Sequence, residues 1–216
     1  MFASIRRYRL SEGSMDELMR RVDEGFAEEI SRQPGFCSYE ALDCGDGEIE
    51  TISVFGEPEE AEASRELAQR WSDENLRDFG FTRLEALRGE ILVSRAAEDM
   101  LEPMHAGASR EFCSIRRYML RGGSVGDLMH IVDEKFADRI SALPGFVAYH
   151  ALDAGGSELL SISVFGDQAQ AEESDDLSLR FVQDELGAFD IERTEVIGGR
   201  VMVSRAMAEV LEPAHA

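Results

Sequence analysis

Arg6 and Tyr8 stand two residues apart near the N-terminus, and Arg116 and Tyr118 repeat them later in the chain. In an extended segment that spacing puts both side chains on one face. A guanidinium is a fixed fork of donors that can hold a carboxylate or a phenolate, and a tyrosine hydroxyl can donate to a carbonyl. The bland alternative is an arginine paired with one of the chain's many acids. Trp71, matched later by Phe181, could wall an aromatic ligand or simply fill a core. Asn75 is one helical turn beyond Trp71 and is matched by Glu185, so the earlier half alone carries a Trp/Asn pair. His150 replaces Glu40 beside Tyr149 and is a candidate for contact with a ligand and for acid–base work. His130 falls on a polar helix side, and His105 and His215 recur in a Leu-Glu-Pro-x-His-Ala tail. No second His or Cys stands at ligand spacing, so no metal is expected. No glycine-rich dinucleotide loop, phosphate loop or Gly-x-Ser-x-Gly occurs, so no cofactor is expected either.

These residues recur because the chain is written twice. Phe2 to Ala106 realigns without a gap onto Phe112 to Ala216, every residue moving by 110 positions. About half the aligned positions are identical, which makes two copies of one domain, 1–106 and 107–216, rather than a solenoid of short repeats. With 44 acidic residues against 22 basic ones the net charge is −22, and both copies are acidic, −13 and −9. No basic stripe is available for phosphates, so nucleic acid and anionic membrane are poor partners. Lys135 is the single lysine. Cys37, Cys44 and Cys113 have no cysteine at their repeat partners, and read as reduced thiols. The charged N-terminus does not resemble a signal peptide, and no apolar run reaches the roughly 20 residues of a membrane span, so a cytoplasmic protein is expected.

Within one copy, residues 2–10 suit a strand. Ser14 and Glu17 predict a capping box, and Met15, Leu18, Met19, Val22, Phe26 and Ile30 form the apolar stripe of the helix that follows. Pro34-Gly35 ends it. Phe36 to Asp43 and Glu48 to Phe55 read as strands joined by a turn at Gly45-Asp46-Gly47. A second helix opens at Gly56-Glu57-Pro58, and residues 84–96 form a last strand with a bulge expected at Gly89. Copy two repeats the pattern, with strands near 112–120, 145–154, 157–166 and 193–206 and helices near 124–142 and 168–188. The acid runs Glu57 to Glu62 and Glu172 to Asp176 read as solvated helix starts. The order β-α-β-β-α-β predicts an α+β fold of two ferredoxin-like units. Each would have a bare apolar sheet face, so the two are expected to pack sheet to sheet as an intrachain pseudo-dimer, with further homo-oligomerisation left open.

The strand ending Arg-Tyr-Arg-Leu, the Glu-Gly-Ser helix start, Pro-Gly-Phe, Ile-Ser-Val-Phe, the Ala-Glu-Ala-Ser helix and Val-Ser-Arg-Ala resemble the dimeric α+β barrel superfamily. Within it they resemble the antibiotic-biosynthesis monooxygenase-like group, over 2–96 and 112–206. The resemblance implies an intrachain α+β barrel with a pocket between sheet and helices in each unit. It also implies cofactor-independent oxygenation of, or binding to, a small aromatic metabolite, with a non-catalytic binding protein as the alternative. Arg6 and Arg116 would then hold an acidic phenol and Tyr8 and Tyr118 orient it for attack by dioxygen. Trp71, Asn75, His150 and Phe181 complete the candidate ligand contacts. The Asn, Trp and His of the haem-degrading relatives fall near Arg6, Ser64 and Glu74, and near Arg116, Ser174 and Asp184. None matches, so haem degradation by that mechanism is not expected. Of the Asn, Trp, Tyr and Arg used by the phenol oxygenases, Tyr and Arg have evident candidates here.

Overall fold

A computed structural model describes residues 1–215. Each copy gives four strands and two helices, and the apolar periodicity accounts for all of them. Copy one folds as β1 (Phe2–Leu10), a first helix α1 (15–30), β2 (Phe36–Gly45), β3 (Glu48–Phe55), α2 (Pro58–Asn75) and β4 (Phe81–Ala96). Copy two gives β5 (Phe112–Gly122), α3 (125–141), β6 (Phe146–Gly155), β7 (Glu158–Phe165), α4 (Gln168–Glu185) and β8 (Asp190–Ala206). The strands are hydrogen-bonded in the order β1-β3-β2-β8-β5-β7-β6-β4. The fold is α+β, with eight strands in antiparallel ladders and four helices. No helix among the described residues is long and apolar enough to cross a membrane.

The chain divides into two compact units whose membership interlaces the copies. Unit 1 comprises Met1–Arg88, Met100–Ser109 and Gly199–Val210, and unit 2 comprises Gly89–Asp99, Arg110–Gly198 and the described residues from Leu211 on. In unit 1, β3 is flanked by β1 (Phe2↔Phe55 to Arg9↔Glu48) and by β2, and β2 pairs on its other side with β8 from Asp43↔Arg200 to Ser38↔Ala206. In unit 2, β7 is flanked by β5 and β6, and β6 pairs with the later part of β4 from Glu90↔Asp153 to Ala96↔Ala148. Each core lies between sheet and helices. Leu18, Met19, Phe26 and Ile30 of α1 meet Leu67, Ala68 and Trp71 of α2 and Tyr39, Ile49 and Phe55 of the strands in unit 1. Leu128, Met129, Phe136, Phe181, Tyr149 and Phe165 do the same in unit 2.

Neither first helix is a plain α-helix. α1 runs Met15–Arg21, widens to π geometry over Val22–Phe26 and closes over Ala27–Ile30. α3 repeats this as Val125–Ile131, Val132–Ala137 and Asp138–Ser141. The π turn of α1 carries the buried Asp23, which accepts from Arg205 Nη2 at 2.5 Å, from the Ala106 N–H at 3.1 Å and meets His105 Nδ1 at 3.2 Å. In unit 2, Asp133 accepts from Arg95 Nη2 at 2.8 Å and meets His215 Nδ1 at 3.0 Å. The recurring tail histidine, His105 or His215, therefore straps onto the π turn of each first helix.

Two local expectations are corrected. Ser14 occupies the N-cap of α1 without a side-chain hydrogen bond, because Glu17 is drawn away to Arg20 and Arg21; the reciprocal capping box forms on α2, between Glu57 and Glu60. The bulge in β4 falls between Ile91 and Val93, not at Gly89. Gly89 is needed for close approach instead, since a Cβ there would stand 2.5 Å from the Asp153 carbonyl oxygen.

Candidate functional site

Alternation along β1 turns Arg6 and Tyr8 to the helix side of unit 1, where they border a cavity of about 30 Å³. Its other walls include Phe26 of α1, Tyr39 of β2, Trp71 of α2 and Phe81 at the start of β4. The rings interlock. Tyr8 stacks on Phe81 with centroids 4.5 Å apart, and Phe26 leans on both Tyr39 and Trp71 at 5.3 and 5.5 Å. Gly25 makes room for the indole, since a Cβ there would lie 2.8 Å from Trp71 Cζ2. Tyr8, Ala68, Leu76 and Phe81 also line a surface cleft of about 530 Å³ in the same unit. The Tyr8–Phe81 stack is thus part of the wall that cleft and cavity share.

Arg6 is 3 % exposed, and its contacts are two long hydrogen bonds, Nη1 to Ser53 Oγ at 3.3 Å and Nη2 to Ser64 Oγ at 3.4 Å. Among the described residues no carboxylate contacts it. Burial pushes Arg6 below the ordinary arginine value; Tyr8 and Tyr39 oppose that, while nearby Arg83 and Arg65 add to it. Burial also raises Tyr8 and, far more, Tyr39, so both hydroxyls stay protonated and able to donate.

Unit 2 carries the same frame with different chemistry. A cavity of about 40 Å³ is lined by Tyr118, Phe136, Tyr149 and Phe181, but Arg116 is not among the lining residues. Arg116 is fully buried and fully engaged. Its Nε donates to Asp175 Oδ1 at 2.6 Å, and its Nη atoms donate to Ser161 at 3.5 Å, Ser163 at 3.1 Å and Ser174 at 2.6 Å. The Ser114 hydroxyl also donates to Asp175, at 2.8 Å. Tyr118 is tied to Ser178 at 2.8 Å, where unit 1 has Ala68. The bland reading of the strand arginine, a pair with an acid, is met by Arg116, whereas Arg6 has, among the described residues, only its two serine hydroxyls.

The other candidates divide. Trp71 and Phe181 sit in the cavity walls. Asn75 does not reach the cavity: it is exposed, and its amide donates to the Trp71 carbonyl at 2.9 Å within α2. Its counterpart Glu185 pairs with Lys135 at 2.9 Å. His150 points away from Tyr149's side of β6 and lines neither cavity. It meets Ser94 at 3.0 Å through Nδ1, its Nε2 has no partner among the described residues, and burial pushes its pKa down to about 4. Sequence reasoning missed Asp175, taken with its neighbours for a solvated acid run. A signal was present: Asp175 aligns with Arg65, a charge reversal beside the shared serine of the helix. Phe81 was missed because its repeat partner is Ile191 and it lies just before the strand that was expected.

No family model matches the chain, and no curated protein matches its sequence. Solved structures do. A candidate monooxygenase of Fusobacterium nucleatum superposes with a TM-score of 0.67 at 7% identity, covering 99% of this chain and 94% of its own. A second, of Lactobacillus acidophilus, gives 0.65 at 12% identity, covering 98% and 97%. The chain shares its α+β fold with these candidate monooxygenases. An anthrone oxidase-like protein shares this monooxygenase-like fold, with a TM-score of 0.55 at 11% identity over 97% of this chain and 95% of that one. At such identities the likeness is one of fold, and chemistry rests on the residues of each cavity.

Proposed function

We propose that this monooxygenase-like protein takes a small aromatic metabolite into the unit 1 cavity and presents it to dioxygen. The observation that carries this is the composition of the cavity wall: five aromatic side chains, two of them protonated phenols, around one guanidinium. Rings supply apolar area and stacking, Arg6 supplies a cation for a phenolate or carboxylate, and Tyr8 supplies a donor. A cavity of about 30 Å³ holds a water or two but no aromatic ring, so a ligand enters by parting the Tyr8–Phe81 stack. The reaction consistent with this wall is oxidation of a ring CH₂ made acidic by its neighbours. Dioxygen takes four electrons from that carbon, one oxygen atom becomes the new carbonyl, and the other leaves as water with the two hydrogens. Arg6 would stabilise the electron-rich anion that meets dioxygen, which is where a buried cation acts most strongly.

A non-catalytic binding module is the second reading, and one observation favours it. The titratable side chains of the cavity wall are Arg6, Tyr8 and Tyr39, none of which is a base at neutral pH. Oxygen uptake with a panel of phenols bearing an acidic ring CH₂ separates the two. The oxygenase reading expects uptake with a product heavier by one oxygen and lighter by two hydrogens, lost in Arg6→Ala. Uptake unchanged in that variant removes the role of Arg6, and a ligand recovered at its original mass after aerobic incubation leaves the binding module.

A further inference from the structure

The two units share a buried strand arginine at equivalent places, and they neutralise it differently. In unit 2 the charge is met from within, by the Asp175 carboxylate on Arg116 Nε. In unit 1 the residue at that helix position is Arg65, so the place of the carboxylate is taken by a second cation. Arg65 pairs outward with Glu62 at 2.5 Å, leaving Arg6 with its two serine hydroxyls. A cation buried to this extent without a counter-charge is costly, and the cost falls when an anion arrives.

The surroundings repeat the asymmetry. A cleft of about 560 Å³ on unit 1 is lined by Arg65, Arg70, Arg77 and Arg83 together with Glu66, Asp73 and Glu74. Among the described residues Arg70 and Arg83 make no ion pair. The positions matching these four arginines in unit 2 are Asp175, Arg180, Gly187 and Arg193. In a chain of net charge −22, a cluster with more cations than anions stands out as a place where an anion is attracted rather than repelled.

We propose that unit 1 is a site for an aromatic carboxylate, whose carboxylate binds Arg6 where Asp175 binds Arg116, and that Asp175 is a built-in stand-in that already occupies that anion place in unit 2. The chain then takes one ligand, in unit 1. The donors for that carboxylate are Arg6 Nε and the Ser4 hydroxyl, the counterparts of the two groups that hold Asp175. This deepens the proposed function and rests on its reading of the cavity as a ligand site.

Trp71 is the only tryptophan, so its fluorescence reports on unit 1 alone. The intact protein is titrated with 4-fluorobenzoate, with the neutral 4-fluorobenzamide and with 4-fluorophenol, followed by Trp71 emission and by the fluorine NMR signal of the probe. The carboxylate is expected to bind and to perturb Trp71, the amide to bind at least about tenfold more weakly, and Arg65→Asp to weaken the carboxylate by at least about tenfold. Asp175→Ser is expected to add a second carboxylate site that leaves Trp71 emission unchanged. Thermal unfolding of each variant checks that it remains folded, and Arg65→Ser, which removes the cation without supplying a carboxylate, should bind more tightly than Arg65→Asp. Equal binding of carboxylate and amide, or two carboxylates on the unaltered chain, overturns the inference. If 4-fluorophenol perturbs Trp71 and the carboxylate does not, the charge assignment is wrong while the cavity stands; if no probe does, the inference and the reading of the cavity fall together.

Discussion

At the scale of residues, what differs between the copies is how buried polar groups are satisfied. Arg116 is closed off by an aspartate and three serines, whereas Arg6 has two serines at the limit of hydrogen-bond length. His150 shows the same economy at a site away from either cavity. It is held neutral, with Ser94 on one nitrogen and, among the described residues, nothing on the other. Its folded pKa of about 4 lies below the ordinary value near 6.5, so between those limits the unfolded chain binds the extra proton. Stability is therefore expected to fall as pH drops through that window. Chemical denaturation of His150→Gln across the same pH range should show a flatter slope; an unchanged slope would mean that His150 is not what titrates there.

At the scale of elements, the π turns of α1 and α3 are the parts that periodicity could not foresee. An apolar stripe at i, i+3, i+4 marks a helix but is nearly blind to one extra residue in a turn. The extra residue brings Asp23 and Asp133 to the histidine-bearing straps and to Arg205 and Arg95. Burial alone would raise the Asp23 carboxyl, but the bonds from Arg205, the Ala106 N–H and His105 outweigh it, and its pKa is lowered. A depressed carboxyl stabilises the fold above its unfolded pKa and loses that contribution as pH falls through the folded value. Asp23→Ala leaves the buried Arg205, among the described residues, with only the more distant Glu28 carboxylate at 3.6 Å for an ion pair and should cost about 3 kcal/mol in urea unfolding at neutral pH, with a smaller penalty in acid. A cost near zero at neutral pH would mean that the strap and the π turn are independent of this carboxylate.

At the scale of the whole molecule, the duplication made the fold legible. Two copies of β-α-β-β-α-β, the hairpin at Gly45-Asp46-Gly47 and the helix stripes were all readable, because burial imposes periods of two and 3.6 on the residues themselves. The interlacing was not readable in the same way, since Val-Ser-Arg-Ala reads as a strand whichever partner it pairs with; only the ladder shows Arg205 beside Asp23 and Arg95 beside Asp133. The cavity was half legible. Arg6, Tyr8 and Trp71 announce themselves by type and spacing, but Asp175 looked like one acid among several, and His150 and Asn75 looked better placed than they are. The repeat holds one more piece of information, the positions where two otherwise matched copies disagree in charge.

An anion place filled by Asp175 in unit 2 and unfilled in unit 1 implies a single anion site per chain, and counting ligands on the intact protein tests that most directly. Native mass spectrometry with 4-fluorobenzoate should show one equivalent per chain, rising to two in Asp175→Ser. Two equivalents on the unaltered chain, or none, would contradict a single anion site in unit 1.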